Sequence, residues 1–181
     1  MKIKRENSIA VVIDVQEKLF PMISENTILE DKLCRLINGL KVLGVEILVT
    51  EQYTKGLGLT IESVRNALGN YYSPLEKMSF SCCGLDTFEN KLKQSGKNTV
   101  IITGIESHVC VLQTALDLLD KGYILVVVED CISSRNLNDK KIALNRLRDE
   151  GAIITTYESI LFEMLGHSGT EEFKSISRIV K

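Results

Sequence analysis

The sequence predicts a three-layer α/β fold in which helices cover both faces of a six-stranded, mainly parallel, doubly wound sheet. Short apolar runs alternate with helical patterns over the whole chain, which is typical of βαβ units. The apolar runs at 99–103, 123–128 and 152–155 are nearly continuous, as in strands that are covered on both faces. The length of 181 residues fits a single domain, 1–181, with a full hydrophobic core.

The first half of the chain contains three predicted strands. The predicted elements are a strand at 8–13, a helix at 29–43, a strand at 45–50, a short helix or turn at 61–68 and a strand at 75–77. Leu33, Leu36 and Leu40 recur at helical spacing, and Gly44 ends that helix. Pro74 excludes a helix just before the third strand.

The second half continues the alternation of strands and helices. The predicted elements are a helix at 85–94, a strand at 99–103, a helix from near Ser107 to Lys121, a strand at 123–128, a helix at 139–150, a strand at 152–155 and helices at 159–165 and 170–179. Gly122 follows the central helix, as a glycine after a helix end commonly does. The fourth, fifth and sixth strands are therefore expected to be covered on both faces.

Cys110 is a candidate nucleophile because of its position. It lies in the first turn of a predicted helix, directly after a strand that ends at Gly104. The positive end of a helix dipole favours a thiolate, and open α/β sheets bind ligands outside the carboxyl ends of their strands. Free cysteine is also a common packing residue, so packing remains an alternative for Cys110 on position alone.

Two charged residues are expected at the same edge of the sheet. Asp14 directly follows the first strand, where it is a candidate general base, although aspartate also caps turns at such positions. Lys77 ends the third strand. Its ammonium group would stabilise both the Asp14 carboxylate and a Cys110 thiolate, and would lower the pKa of the thiol.

Composition excludes several classes of protein. The formal net charge is -2, and no run of lysine or arginine indicates a nucleic-acid partner. The apolar runs are too short to span a membrane, and residues 1–7 do not resemble a secretory signal. The five cysteines have no metal-binding spacing, and the two histidines are far apart. We expect a cytoplasmic protein with a small-molecule substrate, and no metal or cofactor.

Five segments together resemble the isochorismatase-like cysteine hydrolases, which include nicotinamidases and N-carbamoylsarcosine amidases. The segments are VVIDVQEKL around Asp14, TEQYTKGLG at 50–58, LEKMSFSCCG around Lys77, TGIESHVCVLQTALDLLDKGY around Cys110 and DCISSR at 130–135. The resemblance covers nearly the whole chain and implies a Rossmann-like, isochorismatase-like fold. It also implies a homo-oligomer, as a dimer, tetramer or larger assembly.

The resemblance implies a catalytic triad of Asp14, Lys77 and Cys110. It implies an oxyanion hole formed by the backbone N–H groups of Glu106 and Cys110, and a cis peptide bond between Ile105 and Glu106. The expected reaction is hydrolysis of a small amide-like substrate through a thioester on Cys110. A thiol redox protein or a ligand-binding protein on the same fold is the alternative.

The resemblance also places a substrate pocket near the thiol. Phe20, Gln52, Tyr53 and Leu57 lie in segments that line the pocket in relatives, although ordinary loop packing explains them equally well. Nicotinamidases carry metal-binding histidines after the second strand, whereas this chain has Glu51, Gln52 and Tyr53 there. A metal-dependent nicotinamidase is therefore disfavoured. His108 lies two residues before Cys110 and is assigned a structural or interface role.

Overall fold

Six parallel strands form one sheet, which confirms the predicted fold class and makes the sheet entirely rather than mainly parallel. The computed structural model describes all 181 residues, Met1–Lys181. The strands are β1 (Ser8–Ile13), β2 (Glu46–Gln52), β3 (Leu75–Lys77), β4 (Thr99–Ile105), β5 (Ile124–Ser133) and β6 (Ile153–Thr155). Their order across the sheet is β3-β2-β1-β4-β5-β6.

Eight α-helices connect and flank these strands. They are α1 (Asn26–Val42), α2 (Thr54–Leu57), α3 (Glu62–Leu68), α4 (Asp86–Ser95), α5 (Leu112–Asp120), α6 (Leu137–Asp149), α7 (Tyr157–Leu165) and α8 (Glu171–Val180). Short 3₁₀ turns occur at Arg5–Asn7, Phe20–Met22, Gly69–Tyr71 and Cys82–Gly84. A π-helical turn at Ser107–Val111, which we call the nucleophile turn, leads into α5. No helix has both the length and the apolar character needed to cross a bilayer.

The sheet separates two hydrophobic cores. Alternate residues of β1 face opposite sides, so Ala10 and Val12 belong to one core while Val11 and Ile13 belong to the other. The first core is covered by α1, α3, α7 and α8, and the second by α4, α5 and α6. Burial on both faces explains the continuous apolar runs in the sequence.

Most predicted element boundaries shift by one to three residues, and two elements differ more substantially. Strand β5 continues to Ser133, five residues beyond the predicted end at 128, because an irregularity near Gly104 lets β4 pair again with Ile132 and Ser133. The predicted helix around Cys110 begins with the wider π-helical turn rather than a regular α-helical turn. Both differences depend on long-range strand pairing, which local sequence patterns do not contain.

The strand order reverses between β1 and β4, and this point determines where a ligand can bind. From β1 the chain proceeds outward to β2 and β3, then returns to β4 on the other side of β1 and proceeds outward again. The two connections leave a crevice outside the carboxyl ends of β1 and β4, where open α/β sheets place their ligands. Asp14 follows β1 at this point, and the nucleophile turn follows β4.

Gly104 allows β1 and β4 to lie close together beside this crevice. It pairs with Ile13 and has a φ of 132°, a value that side chains rarely adopt. A Cβ atom added to Gly104 would lie 2.2 Å from the carbonyl oxygen of Ile13. Because backbone cannot yield as a flexible side chain can, only glycine fits at this position.

We predict that Gly104→Ala lowers the free energy of unfolding by about 3 kcal/mol, from the unfavourable φ and the collision with Ile13 together. The control is Gly44→Ala, at a φ of 69° with no atom within 4 Å of the added Cβ. That variant has the backbone cost alone, about 1 kcal/mol. Chemical denaturation of both variants measures the difference, and equal losses would show that the contact with β1 is not restrictive.

Candidate active site

Asp14 and Lys77 form a buried ion pair at the carboxyl edge of the sheet. Lys77 Nζ lies 2.6 Å from Asp14 Oδ2, and the two side chains are 0% and 2% exposed. Thr50 Oγ1 donates a hydrogen bond of 2.8 Å to the other carboxylate oxygen, Oδ1. Removing two charges from water is costly, so such a pair persists only where further hydrogen bonds satisfy its remaining atoms.

Lys77 has three neutral acceptors besides Asp14. Its ammonium group donates to Gln52 Oε1 at 3.1 Å, to the Ser79 carbonyl at 3.1 Å and to the Phe80 carbonyl at 3.0 Å. The lysine therefore fastens the loop after β3 to the ends of β1 and β2. The sequence predicted only that the charge of Lys77 would stabilise Asp14 and Cys110, and this structural role is additional.

Cys110 lies in the nucleophile turn and is 7% exposed. Its Sγ atom lies 3.2 Å from Gln52 Oε1, the same oxygen that accepts from Lys77. The Gln52 amide nitrogen faces the Met78 carbonyl at 3.4 Å, so both ends of the amide have partners of the correct type. Gln52 therefore connects the thiol to the ion pair and is more than a pocket side chain.

The pKa of Cys110 is raised, which corrects the expectation from the sequence. Burial is the largest cause, and the negative charge of Asp14 acts in the same direction. The Lys77 ammonium lowers the pKa of the thiol, but its effect is smaller than these two. The neutral thiol of Cys110 is thus favoured over the thiolate.

Three residues at the site adopt left-handed backbone conformations that are unfavourable for residues other than glycine. The φ angles are 53° at Asp14, 42° at Tyr53 and 57° at Glu106, each directly after the end of a strand. Such a conformation costs about 1–2 kcal/mol per residue. Backbone strain of this kind is concentrated at functional sites.

The structure contradicts the expected cis peptide bond between Ile105 and Glu106, since the chain contains no cis peptide bonds. Glu106 instead turns the chain through its left-handed conformation, with φ 57° and ψ 62°. Its carbonyl oxygen accepts from the N–H groups of Val109 at 2.8 Å and Val111 at 3.4 Å. This pair of bonds sets the width of the nucleophile turn.

A cavity of about 620 Å³ opens beside Lys77. Its walls are Tyr53, Lys55, Glu76, Lys77, Met78, Ser79, Gly84 and Leu85. A second cavity, of about 500 Å³ between α6 and β6, contains none of Asp14, Lys77 and Cys110. The cavity beside Lys77 is therefore the candidate substrate pocket.

The four predicted pocket residues separate into two groups. Tyr53 lines the cavity, whereas Gln52 does not line it and instead contacts the Cys110 thiol. Phe20 packs in the core beneath α1, and neither it nor Leu57 lines this cavity. The ring of Tyr53 lies against the bare Cα of Gly56, where an added Cβ would be 2.3 Å from the ring.

Sequence reasoning missed Thr50, whose hydroxyl binds Asp14. Cys82, which is fully buried in the second core, has its Sγ 3.7 Å from Thr50 Oγ1. The available signal was a threonine that pairs with Ile13, the residue before Asp14. That signal is weak because threonine is common in strands.

Glu51 lies near the end of β2, in the segment where nicotinamidases were expected to carry metal-binding histidines, and it is engaged in a structural network. Its Oε1 accepts from the Thr60 N–H and hydroxyl at 2.7 Å each, and from the Tyr72 hydroxyl at 2.8 Å. No group of three or more histidine, cysteine or acidic side chains is arranged to hold a metal ion. The reactive groups at this edge of the sheet are therefore the carboxylate, the ammonium and the thiol.

Known proteins are similar to this chain over most of its length. The family profile described as the Isochorismatase domain matches residues 8–159. "Isochorismatase family protein 1B" of Dictyostelium discoideum is 42% identical over 188 residues, which cover 99% of this chain and 89% of the relative.

Two solved structures are similar over almost the whole chain. A structure described as MAR1 ribonuclease from Caenorhabditis elegans is 36% identical, with a TM-score of 0.93, and covers 99% of this chain and 92% of its own. YcaC from Escherichia coli, described as an octameric hydrolase of unknown specificity, has a TM-score of 0.92 over 99% of this chain and 89% of its own. At 17% identity, YcaC shows the fold alone.

We predict that Asp14→Asn lowers the pH at which Cys110 becomes reactive by at least about one unit, because the neighbouring negative charge is removed while Lys77 remains. The midpoint of iodoacetamide labelling against pH, followed at each cysteine by mass spectrometry, measures the shift. Lys77 keeps its three neutral acceptors in this variant.

Asp117→Asn provides the matched control. The charge of Asp117 raises the pKa of Cys83, so this variant should shift the midpoint of Cys83 and leave that of Cys110 unchanged. An unchanged Cys110 midpoint in Asp14→Asn would show that burial alone keeps the thiol neutral.

Proposed function

Because the chain belongs to the isochorismatase family and has its hydrolase fold, we propose that it is a cysteine hydrolase that cleaves a small amide-like C–N bond. The observation that carries the proposal is the joint placement of a buried Asp14–Lys77 pair and the Cys110 thiol around Gln52. Asp14, Lys77 and Cys110 act as base, charge partner and nucleophile in this proposal.

The neutral state of the thiol determines the first step. A neutral thiol must lose its proton as it attacks, and Asp14 is the carboxylate whose charge and hydrogen bonding act on Cys110. The S–H proton passes to Asp14 while the sulfur forms a bond to the substrate carbonyl carbon. Lys77 remains beside the aspartate throughout, so the ion pair becomes an ammonium next to a carboxylic acid.

The second step breaks the C–N bond. Asp14 returns its proton to the departing amine or ammonia, which leaves a thioester on Cys110. A water that gives a proton to Asp14 then attacks the thioester carbonyl. The C–S bond breaks, Asp14 returns that proton to the sulfur, and the acid and the free thiol are released. The backbone N–H groups of Glu106 and Cys110 are our candidates for holding the oxyanion in both steps.

The cavity supports a small substrate. Tyr53, which is 47% exposed, provides an aromatic wall over the pocket, and Met78 and Leu85 add apolar surface. Lys55 and Glu76 supply polar groups to the walls, although Glu76 is already bonded to Thr54. A volume of about 620 Å³ is within the range of small-molecule sites.

A ribonuclease is the competing activity, since the similar structure from Caenorhabditis elegans is described as one. The net charge of -2 favours a small molecule over RNA, because nucleic-acid binding depends on neutralising phosphates with lysine and arginine. A thiol redox role is also disfavoured, because peroxide reacts with exposed thiolates and Cys110 is buried with a raised pKa.

Two further features belong to the proposal. YcaC is described as octameric, and we propose that this chain also assembles with copies of itself. Five free cysteines, three of them buried, fit a reducing compartment such as the cytoplasm.

We predict that Cys110→Ala abolishes turnover of any amide that the wild-type protein hydrolyses, because no other group can form the thioester. Incubation with a library of small amides, followed by mass spectrometry of the intact protein, should detect an acyl adduct on the wild type and none on the variant. Adding RNA to the same panel tests the competing activity.

Cys34→Ala is the control, since Cys34 is a half-buried free cysteine on α1 that takes no part in the site. It should keep both turnover and the adduct. Turnover that survives in Cys110→Ala would disprove the proposed nucleophile.

A further inference from the structure

The side chain of Glu106 is buried beside the nucleophile turn and is only partly satisfied. Its residue is 5% exposed. Oε1 accepts a hydrogen bond of 2.7 Å from Arg135 Nε, while Oε2 is buried with no hydrogen-bond partner. A buried carboxylate oxygen without a donor is costly, so its persistence calls for an explanation.

His108 faces this unpartnered oxygen. Its Nδ1 lies 3.3 Å from Glu106 Oε2 and 3.0 Å from Ser134 Oγ, and its Nε2 lies 4.0 Å from Asp139 Oδ2 on α6. With its proton on Nδ1, the imidazole can donate to this carboxylate; with the proton on Nε2, it presents a lone pair instead.

Arg135 is the cation that faces the Glu106 carboxylate. It follows β5, and its Nε lies 2.7 Å from Glu106 Oε1. Strand β4 carries no charged residue, and Asp117 of α5 is engaged by Ser81. The bond to Arg135 is therefore the charged anchor of this carboxylate.

Glu106 is also the residue on which the nucleophile turn is built. Its carbonyl oxygen accepts from Val109 and Val111, on either side of Cys110, and its backbone is held in the left-handed region. The bond from Arg135 to the Glu106 carboxylate holds the end of the same side chain in place. Loss of the bond between Arg135 and Glu106 would therefore affect Cys110, which follows Glu106 by four residues in the same turn.

We propose that Glu106 is a positioning residue for Cys110, and that its bond to Arg135 keeps the nucleophile turn closed over the thiol. This inference rests on the proposed role of Cys110 as the nucleophile.

The labelling rate of Cys110 with iodoacetamide, resolved by peptide mass spectrometry, tests the proposal without a known substrate. The Arg135 side chain is 56% exposed, so Arg135→Gln should fold. Loss of the charge-assisted bond to Glu106 should let the turn open and speed labelling of Cys110 about tenfold. Arg135→Lys should restore slow labelling in part, and Arg148→Gln, on the surface of α6, is the control for loss of one positive charge.

Local opening is distinguished from general destabilisation by Cys131, which is fully buried in β5. Its labelling rate should not change in Arg135→Gln.

Two results would overturn the proposal: unchanged Cys110 labelling in Arg135→Gln, or equal acceleration at Cys131. Each is independent of turnover. Failure of the proposed hydrolase, seen as turnover by Cys110→Ala, is therefore separable from failure of this inference.

Discussion

The buried ion pair between Lys77 and Asp14 is the interaction on which the site depends. Its two charges come from the ends of β3 and β1, which are separated in the sheet by β2. Two groups from β2, the Thr50 hydroxyl and the Gln52 amide oxygen, complete the shell around the pair. Because a buried charge without partners costs several kcal/mol, the three strand ends and the loop after β3 have one favourable arrangement. The pocket wall and the acid–base pair are thus positioned by the same lysine.

This arrangement has a chemical consequence for the thiol. A lysine near a cysteine ordinarily favours the thiolate, but here burial and the negative charge of Asp14 outweigh its effect. The pKa of Cys110 is therefore raised, which favours the neutral thiol. A neutral, buried thiol is protected from peroxide and other oxidants, and it requires a base to react. In the proposed reaction that base is Asp14, so the carboxylate that raises the pKa of the thiol also takes its proton.

The sequence was sufficient for the fold and for the edge of the sheet where the reactive residues lie. Strand ends are visible as breaks in apolar runs, and parallel strands bring their carboxyl ends together. The sequence alone therefore predicted that Asp14, Lys77 and Cys110 lie at the same edge of the sheet. The direction of the pKa shift could not be predicted, because burial depends on packing from both sides of the sheet. The conformation at Glu106 and the extension of β5 to Ser133 likewise depend on how β4 pairs, which no local pattern records.

The strained residues show how the fold keeps the site rigid. Asp14, Tyr53 and Glu106 each leave a strand through a left-handed conformation, and each is held there by bonds from another element. Asp14 N–H donates to the Thr50 carbonyl, Tyr53 N–H donates to the Lys77 carbonyl, and the Glu106 carboxylate accepts from Arg135. Left-handed turns direct the chain away from the sheet at once, so the side chains converge over the strand ends instead of continuing along them. The parallel sheet brings the three groups close together, and these turns orient them. Neither feature alone would place a carboxylate, its ammonium partner and a thiol around the amide of Gln52.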